Sequence, residues 1–250
     1  MKSNSDKAKI SIIIPAKNEE KTIQRCLKAI ECLKKNYELE CIVVAPDIET
    51  INSARKFPFV KTILFAGDME AAVNEGLKHA SYDLILKMDA DIILPKNFFE
   101  VMLPETEKYD LVSCPASTRS GKLWLDFFFW IRDQLLKVAP LGRSTHGNSM
   151  LFRKALIEEI GGFKYDTALE KEAIKRGKKV LIVDEIRVLE FREDFTVKRI
   201  FKRQYEAGRK RYQLGIGFLR TLGHSIFRGR PAVIIGWLRE KMKKRVSGTI

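Results

Sequence analysis

Short apolar runs alternate with amphipathic stretches through the first half of the chain. The runs are rich in β-branched residues, which is typical of strands buried on both faces of a parallel sheet. They predict strands at residues 10–14, 41–45, 60–65, 84–88 and 110–114. Between them, apolar residues recur every three or four positions, which predicts one helix from about Glu19 and another from Met69 to Ala80.

This alternation predicts an α/β fold, with a doubly wound and mostly parallel sheet flanked by helices. Ligands bind such sheets beyond the carboxyl ends of the strands. The chemistry is therefore expected at residues 15–20, 45–47 and 88–91. The chain has neither G-x-G-x-x-G after the first strand nor G-x-x-x-x-G-K anywhere, which disfavours a Rossmann dehydrogenase and a P-loop NTPase.

The second half is less regular and holds one aromatic segment, LWLDFFFWIRDQLLKV at residues 123–138. Its four charged residues exclude a membrane span, which needs about 20 residues that are almost free of charge. Two interpretations stay open. The segment is either an amphipathic helix at a membrane interface or over a cleft, or a core helix with two exposed acids.

The net charge of +14 is concentrated at the C-terminal end. Residues 195–250 contain 15 Lys and Arg against two acids, whereas residues 1–194 are close to neutral. We therefore expect a catalytic domain over 1–194 and a basic helical extension over 195–250. The extension should meet an anionic partner, either nucleic acid or a phospholipid surface. The alternative is a solvated basic helix that packs on the domain.

Cysteine usage and the N-terminus bear on the cellular compartment. The four cysteines form no C-x-x-C pair, which favours free thiols in a reducing compartment over a zinc site or disulfides. The first apolar run is too short for a signal peptide. Both observations predict a cytoplasmic protein.

The most specific local motif is the D-A-D at Asp89 and Asp91. At the end of an extended strand, residues i and i+2 point to the same side, so both carboxylates should face the ligand edge. Two like charges held together favour a cation between them. Hard oxygen ligands predict Mn²⁺ or Mg²⁺, which would also bridge the phosphates of a nucleotide.

Several further motifs share the order and spacing of one enzyme family. They are SIIIPAKNEE at 11–20, the helix residues Gly67, Ala71, Asn74, Gly76 and Ala80, the D-A-D, HGNSMLFR at 146–153, IGGF at 160–163, and Tyr165-Asp166 before a stretch ending at Gly177. Together they resemble the inverting family 2 glycosyltransferases, which have the GT-A fold.

This resemblance implies a set of site residues. The nucleotide sugar would be bound by Pro15, Ala16, Asn18, Glu19, Asp47, Asn74, Asp89, Gln204 and Arg209. The acceptor side would be formed by His146, Gly147 and Asn148, the general base would be Asp166, and the metal ligands would be Asp89 and Asp91.

The sequence departs from the family pattern at two of these places. Only Asp47 follows the second strand where the family often has several acids, and Tyr165 replaces the first acid of the family's E-D pair. Structural roles are open for some residues as well. Asn18 and Glu19 could cap the first helix, and Asn74 and Gly76 could serve close packing of helix on sheet.

The function expected from the resemblance is metal-dependent transfer of a sugar from a nucleotide-diphosphate sugar to an acceptor hydroxyl, with inversion. The acceptor would be a lipid-linked or surface glycan, and the enzyme would lie on the inner face of the cell membrane. Two alternatives are a basic nucleic-acid-binding protein and a catalytically inactive scaffold. The sequence has no recognised nucleic-acid-binding motif, so no nucleic acid is expected as a partner.

Overall fold

The computed structural model describes residues 7–138, 147–191, 197–213 and 215–247, without the side chains of residues 135–138, 166, 167, 199 and 244–247. The chain divides into two compact units. The first, the α/β unit, comprises Met1–Ser117 and Arg143–Phe191. The second, the helical unit, comprises Thr118–Gly142 and Arg192–Ile250. The segment 118–142 thus joins the C-terminal helices, although the sequence places the boundary at residue 194.

A seven-stranded sheet forms the centre of the α/β unit, in the order β3-β2-β1-β4-β8-β6-β9. Only β8 is antiparallel to its neighbours in this order. The sheet is therefore mostly parallel and flanked by helices, as predicted. Its strands are β1 (Lys9–Pro15), β2 (Glu38–Ala45), β3 (Val60–Leu64), β4 (Leu84–Met88), β6 (Leu111–Ser113), β8 (Ser149–Arg153) and β9 (Val180–Ile182).

The first four strands and the fifth predicted one lie where the apolar runs place them. Their side chains alternate between two cores, with Ile12 and Ile14 in one and Ile13 in the other. Strand β8 was not predicted as a strand. It pairs with both β4 and β6 and so separates two strands that are parallel to each other.

Helices cover both faces of the sheet. Helix α1 (Ile23–Leu33) begins four residues after Glu19, because the residues before it form a turn. Helix α3 (Met69–Lys78) approaches the sheet closely, since a Cβ on Gly76 would lie 2.6 Å from Ile13 Cγ2. The other helices of this unit are α2 (Ile48–Ala54), α4 (Phe98–Met102), α6 (Lys154–Ile160) and α7 (Asp166–Lys175), with a 3-10 helix at Leu103–Glu107.

Helix α1 carries two cysteines on opposite faces. Cys26 faces the core and is buried, whereas Cys32 is exposed. Burial is also the first cause that raises the pKa of Cys26, followed by the nearby Cys41, Asp91 and Asp89. The Cys26 thiol therefore stays protonated beneath the D-A-D.

A second, three-stranded sheet lies beside the D-A-D, in the order β5-β10-β7. Its strands are β5 (Ile92–Ile93), β7 (Ala116–Arg119) and β10 (Val188–Phe191). Strand β5 follows directly after Asp91, and Phe191 N donates to the Asp91 carbonyl. This sheet holds the chain immediately after the acidic motif.

In the described part of the helical unit, the chain forms α5 (Leu123–Val138), α8 (Val197–Gln213), α9 (Phe218–Phe227) and α10 (Pro231–Ser247). No helix among the described residues is long and apolar enough to cross a bilayer. Trp237 anchors α10, because its ring is buried against Tyr212 and Phe218 and its Nε1 donates to Ile216 O.

Helices α8 and α10 cross at two glycines. A Cβ on Gly208 would lie 2.0 Å from Val233 O, and a Cβ on Gly236 would lie 2.0 Å from Tyr205 O. Each glycine thus faces the backbone of the other helix. Only hydrogen fits at these two positions, so a larger residue at either one would force the two helices to shift.

We expect Gly236→Ala to destabilise the helical unit by about 1–3 kcal/mol, the usual cost of overpacking a close contact. All three tryptophans lie in this unit, at positions 124, 130 and 237. Tryptophan fluorescence during urea unfolding therefore measures its stability directly.

Gly223→Ala is the matched control. Gly223 lies inside α9, and a Cβ there would meet nothing within 4 Å. Alanine at such a helix position should be neutral or stabilising by up to about 1 kcal/mol. Equal stability of Gly236→Ala and the wild type would contradict the close crossing.

Candidate functional site

The carboxyl ends of the parallel strands bring three predicted segments to one edge of the sheet. Pro15 ends β1, Ala45 ends β2 and Met88 ends β4, and these three strands are neighbours. Strand β8 runs the other way, so Ser149, its first residue, pairs with Met88 at the same edge. The segment before β8 therefore also reaches this edge.

The D-A-D occupies a turn rather than the end of a strand. Strand β4 stops at Met88, and Ile92 N donates to Asp89 O at 3.2 Å. The sequence analysis assumed an extended backbone at this motif, and that assumption is wrong. That both carboxylates face the ligand edge stays a prediction. The Asp89 side chain is 36% exposed, whereas Asp91 is only 4% exposed.

Lys87 supplies a positive charge to this turn. Its side chain is 1% exposed, and its Nζ donates to Asp89 Oδ1 at 2.8 Å and to Gly147 O at 2.6 Å. A buried ammonium group requires such partners, because desolvation of an unpaired charge is costly. Lys87 thus offsets part of the charge of the acid pair.

The sequence analysis gave Lys87 no role, although a signal was present. A lysine inside the apolar run L-I-L-K-M of a buried parallel strand must find a counter-charge, and the nearest acid is two residues away.

The segment predicted for the acceptor side contacts the D-A-D directly. Gly147 is buried and its carbonyl accepts from Lys87, while Asn148 O accepts from Asp89 N at 3.1 Å. His146 lies outside the described residues. The structure therefore brings Gly147 and Asn148 to the acidic turn through backbone carbonyls.

The first predicted nucleotide-binding segment turns sharply after β1. Ala16 N donates to Val44 O, which extends the pairing of β1 with β2 beyond Pro15. Asn18 then adopts the left-handed conformation, with φ 55°. The predicted capping of α1 by Asn18 or Glu19 is wrong, because Thr22 precedes the first helical residue.

Asp47 fixes this turn against the loop after β2. Its carboxylate accepts from Asn18 N at 2.9 Å and from Thr50 N at 3.0 Å, so it caps α2. Burial raises the pKa of Asp47, but the hydrogen bonds from Asn18 and Thr50 outweigh burial and hold the pKa below its ordinary value. Asp47 is therefore a charged, partly buried group at the site edge.

The Glu19 backbone is held in the same way, since Glu19 N donates to Thr50 Oγ1 at 2.9 Å. Its carboxylate accepts from the Thr22 hydroxyl. Pro15, Ala16, Asn18, Glu19 and Asp47 thus form one connected structure at the ends of β1 and β2. Their contact with a nucleotide remains a prediction.

Asn74 braces the chain before α7. Its Nδ2 donates to Glu70 O and Phe163 O, and its Oδ1 accepts from Phe163 N at 2.7 Å. Both amide hydrogens are used in these bonds, so the described contacts of Asn74 are structural. Its predicted contact with the nucleotide remains a prediction.

The same bracing positions the candidate base. Tyr165 N donates to Glu70 Oε2, and α7 begins at Asp166, the next residue. Glu70 lies in the first turn of α3, at the end of that helix that follows β3. The backbone of Asp166 is therefore tied to the N-terminal end of α3, while its side chain is outside the description.

The two predicted residues of the basic extension bond within the helical unit. Gln204 Oε1 accepts from Ala232 N at 3.3 Å, and Arg209 Nε donates to Glu240 Oε2 at 2.7 Å. Both contacts join α8 to α10. The roles of Gln204 and Arg209 toward a nucleotide sugar remain predictions.

The donor set at the acidic turn suits a divalent cation that is shared with a substrate. No group of three or more His, Cys, Asp or Glu side chains in the described part of the chain could hold a metal by itself. Mn²⁺ and Mg²⁺ in nucleotide sites usually take one or two carboxylates, with phosphate and water completing the shell. Asp91 and the second oxygen of Asp89 fit that pattern.

Comparison with known proteins gives a family match. The family model "Glycosyl transferase family 2" matches residues 11–161. No curated protein matches the whole sequence significantly. The family match includes the turn after β1, the D-A-D, and Gly147 and Asn148.

Solved structures share the fold at low sequence identity. A mannosyltransferase from Pyrobaculum calidifontis, solved with GDP-Man and Mn²⁺, is 18% identical with a TM-score of 0.58. The match covers 98% of this chain and 77% of the mannosyltransferase chain. TarS from S. aureus, solved with UDP-GlcNAc, is 15% identical with a TM-score of 0.57. The match covers 82% of this chain and 65% of the TarS chain. A 4-diphosphocytidyl-2C-methyl-D-erythritol synthase from Anaerococcus prevotii is 16% identical with a TM-score of 0.50, covering 71% and 89%.

These likenesses identify the fold as GT-A. The family model covers more than half of the chain and spans the acidic turn. The chain belongs to glycosyl transferase family 2 and is a glycosyltransferase.

Proposed function

We propose that this glycosyltransferase moves a sugar from a nucleotide-diphosphate sugar to an acceptor hydroxyl, with inversion and with Mn²⁺ or Mg²⁺ as cofactor. The observation that carries the proposal is the D-A-D turn held against Gly147 and Asn148 at the carboxyl edge of the sheet. The solved relatives with GDP-Man and UDP-GlcNAc support a nucleotide-sugar donor.

A single displacement accounts for inversion. The acceptor oxygen forms a bond to the anomeric carbon while the bond from that carbon to the diphosphate oxygen breaks. The bonding electron pair leaves with the diphosphate. The acceptor proton passes to Asp166, which acts as general base on the opposite side of the sugar.

Charge develops on the leaving diphosphate in this step. Asp91 and Asp89 would hold the metal, whose positive charge would offset the charge on the diphosphate. Lys87 keeps Asp89 oriented in the turn through its bond to Oδ1. The backbone of the turn after β1 is rigidly held by Asp47 and Thr50, which suits binding of a nucleoside.

The first prediction concerns the metal ligands. Asp91→Asn should weaken donor binding in the presence of Mn²⁺ by more than about tenfold, since even outer-shell partners of a metal change its affinity by roughly 10- to 100-fold. Isothermal titration calorimetry with a panel that includes GDP-mannose and UDP-GlcNAc measures the effect, with and without Mn²⁺.

Asp83→Asn serves as the control for Asp91→Asn. Asp83 precedes the other end of β4 and forms an exposed ion pair with Arg153 at 2.9 Å. Exposed pairs contribute about 0–1 kcal/mol, so this variant should bind donor normally. The metal-dependent mechanism would be refuted if donor affinity were the same with and without Mn²⁺ and were unchanged in Asp91→Asn.

The second prediction concerns the base. Asp166→Asn should reduce turnover by about 10²- to 10⁴-fold while leaving donor affinity intact, because a general base acts on the acceptor. Release of nucleoside diphosphate from the donor gives the rate.

Glu172→Gln on the same helix is the matched variant, because the Glu172 carboxylate pairs with Arg176. It should keep wild-type turnover. If Asp166→Asn is equally active, the base is another group. If no donor of the panel is ever turned over, the inactive scaffold is the better description.

We also propose that the enzyme is cytoplasmic and lies on the inner face of the cell membrane, where it glycosylates a lipid-linked or surface glycan. Helix α5 supports this, because its exposed side chains are largely aromatic or aliphatic: Leu123 at 90%, Trp124 at 60%, Phe127 at 60%, Trp130 at 53% and Ile131 at 38%. Its two acids are only partly exposed, because Asp126 accepts from Ser120 and Asp133 pairs with Arg132. This pattern argues against a core helix with exposed acids.

Charge complementarity indicates that the exposed apolar side of α5 would bind an anionic membrane surface. The basic residues of 195–250 belong to the same unit as α5. The cytoplasmic leaflet is anionic and attracts basic segments, while aromatic side chains favour the membrane interface.

The third prediction tests this contact. The Phe127 and Trp130 rings stack at 5.9 Å, and the double variant Phe127→Ser/Trp130→Ser removes both. Burial of a large apolar side chain contributes about 1.5–3 kcal/mol, so sedimentation with vesicles of phosphatidylcholine and phosphatidylglycerol should weaken at least about tenfold.

The control Ile48→Ser/Leu64→Ser removes two exposed apolar side chains from the α/β unit instead. It should sediment with the vesicles like the wild type. Equal losses in both variants, or no sedimentation of the wild type, would contradict membrane binding through α5.

A further inference from the structure

A cluster of cations lies within the helical unit. It consists of Arg211 at the end of α8, Arg220 and His224 on α9, and Arg228 and Arg230 after α9. We call this group the arginine cluster.

Hydrogen bonds hold the backbone and one arginine of the arginine cluster in place. Arg211 Nε donates to Thr221 Oγ1 and Arg211 Nη2 donates to Arg220 O, each at 3.3 Å. The loop after α9 is fixed by Ser225, whose hydroxyl donates to Arg230 O at 2.5 Å and whose carbonyl accepts from Arg230 N at 2.8 Å. The positive groups are thus gathered by a defined local structure.

Two polar atoms of the arginine cluster are buried and lack a hydrogen-bond partner among the described residues. They are His224 Nδ1 and Arg228 Nε. Buried polar atoms in folded proteins nearly always have partners, so each such atom requires an explanation. Both atoms belong to side chains that can donate to an oxyanion.

The neighbouring sequence offers no compensating acid. Residues 207–239 contain neither Asp nor Glu. Of the acids at other positions in this unit, Glu193 and Asp194 lie outside the described residues, Glu206 is exposed on α8, and Glu240 bonds Arg209 and Gln213. The acids Asp126 and Asp133 are bonded within or next to α5.

Burial and the neighbouring arginines disfavour further positive charge in the arginine cluster. Burial is the largest cause that lowers the pKa of His224, to about 4, and Arg211, Arg228 and Arg230 add to it. Burial, Arg220 and Arg228 likewise lower the pKa of Arg211. His224 is therefore neutral near pH 7, and the arrangement would be stabilised by an anion.

We propose that the arginine cluster is a binding site for a phosphate group. Guanidinium groups present paired N–H donors that match the oxygens of phosphate, which makes arginine the preferred residue for such ligands. His224 Nδ1 and Arg228 Nε are the donors that lack partners in the protein. The phosphate belongs either to a lipid headgroup or to a soluble molecule, and the experiments distinguish these sources.

Histidine NMR tests the site in the full-length protein with inorganic phosphate as the probe. The chain has only three histidines, and His224→Gln identifies the signal. Phosphate should raise the pKa of His224 from about 4 towards its ordinary 6.5, because a nearby opposite charge favours the imidazolium. Chloride at the same ionic strength should leave it unchanged.

Arg228→Gln should abolish this response to phosphate, whereas Arg239→Gln should retain it. Arg239 is exposed on α10, so its substitution removes the same charge from the same unit. Tryptophan fluorescence during urea unfolding verifies that both variants are folded. If Arg228→Gln is not folded, Arg220→Gln is used in its place.

Vesicle sedimentation provides the second arm, with phosphatidylcholine alone or with phosphatidic acid added. Loss of one cation near an anionic surface weakens binding about fivefold, and Arg239→Gln sets that baseline. A larger loss in Arg228→Gln assigns the site to a lipid phosphate, and a response to inorganic phosphate alone assigns it to a soluble one.

The proposal is overturned if chloride and phosphate have the same effect and the two variants sediment alike. These readouts do not depend on sugar transfer. Failure here therefore leaves the proposed catalytic function untouched, and an inactive enzyme can still show the site.

Discussion

The buried ammonium group of Lys87 is the interaction on which the candidate site depends. It joins a side chain of the acidic turn, Asp89, to the carbonyl of Gly147 on the segment before β8. Because a buried charge is tolerated only with close partners, these two segments must stay together for the sheet to fold. The backbone bond from Asp89 to Asn148 adds a second link. The acidic turn and the segment before β8 are thus assembled by folding itself.

The fold was largely predictable because buried parallel strands have an unmistakable composition. Residues 10–14, 41–45, 60–65 and 84–88 each read as apolar runs, and strands occur at all four places. Helix α2 escaped prediction because it has only seven residues and depends on the cap from Asp47. Strand β8 escaped because its partners, β4 and β6, are far away in sequence.

The site was predictable in its location but less so in its geometry. The edge of the sheet follows from strand direction, and it brings Asp89, Gly147 and Asn148 together. The expected side-by-side carboxylates assumed an extended backbone, whereas the chain turns at Asp89. Local turns depend on hydrogen bonds that a residue pattern does not encode. In the helical unit, likewise, the pairing of Arg209 with Glu240 spans 31 residues and has no local signature.

The two cysteines of α1 allow opening of the α/β unit to be followed by chemical labelling. The Cys32 sulfur is open to an alkylating reagent in the native protein, while that of Cys26 is buried beneath the acidic turn. A reagent reaches Cys26 only when α1 separates from the sheet. The ratio of the two labelling rates therefore reports how often the floor of the site opens, without a ligand or an assay of turnover.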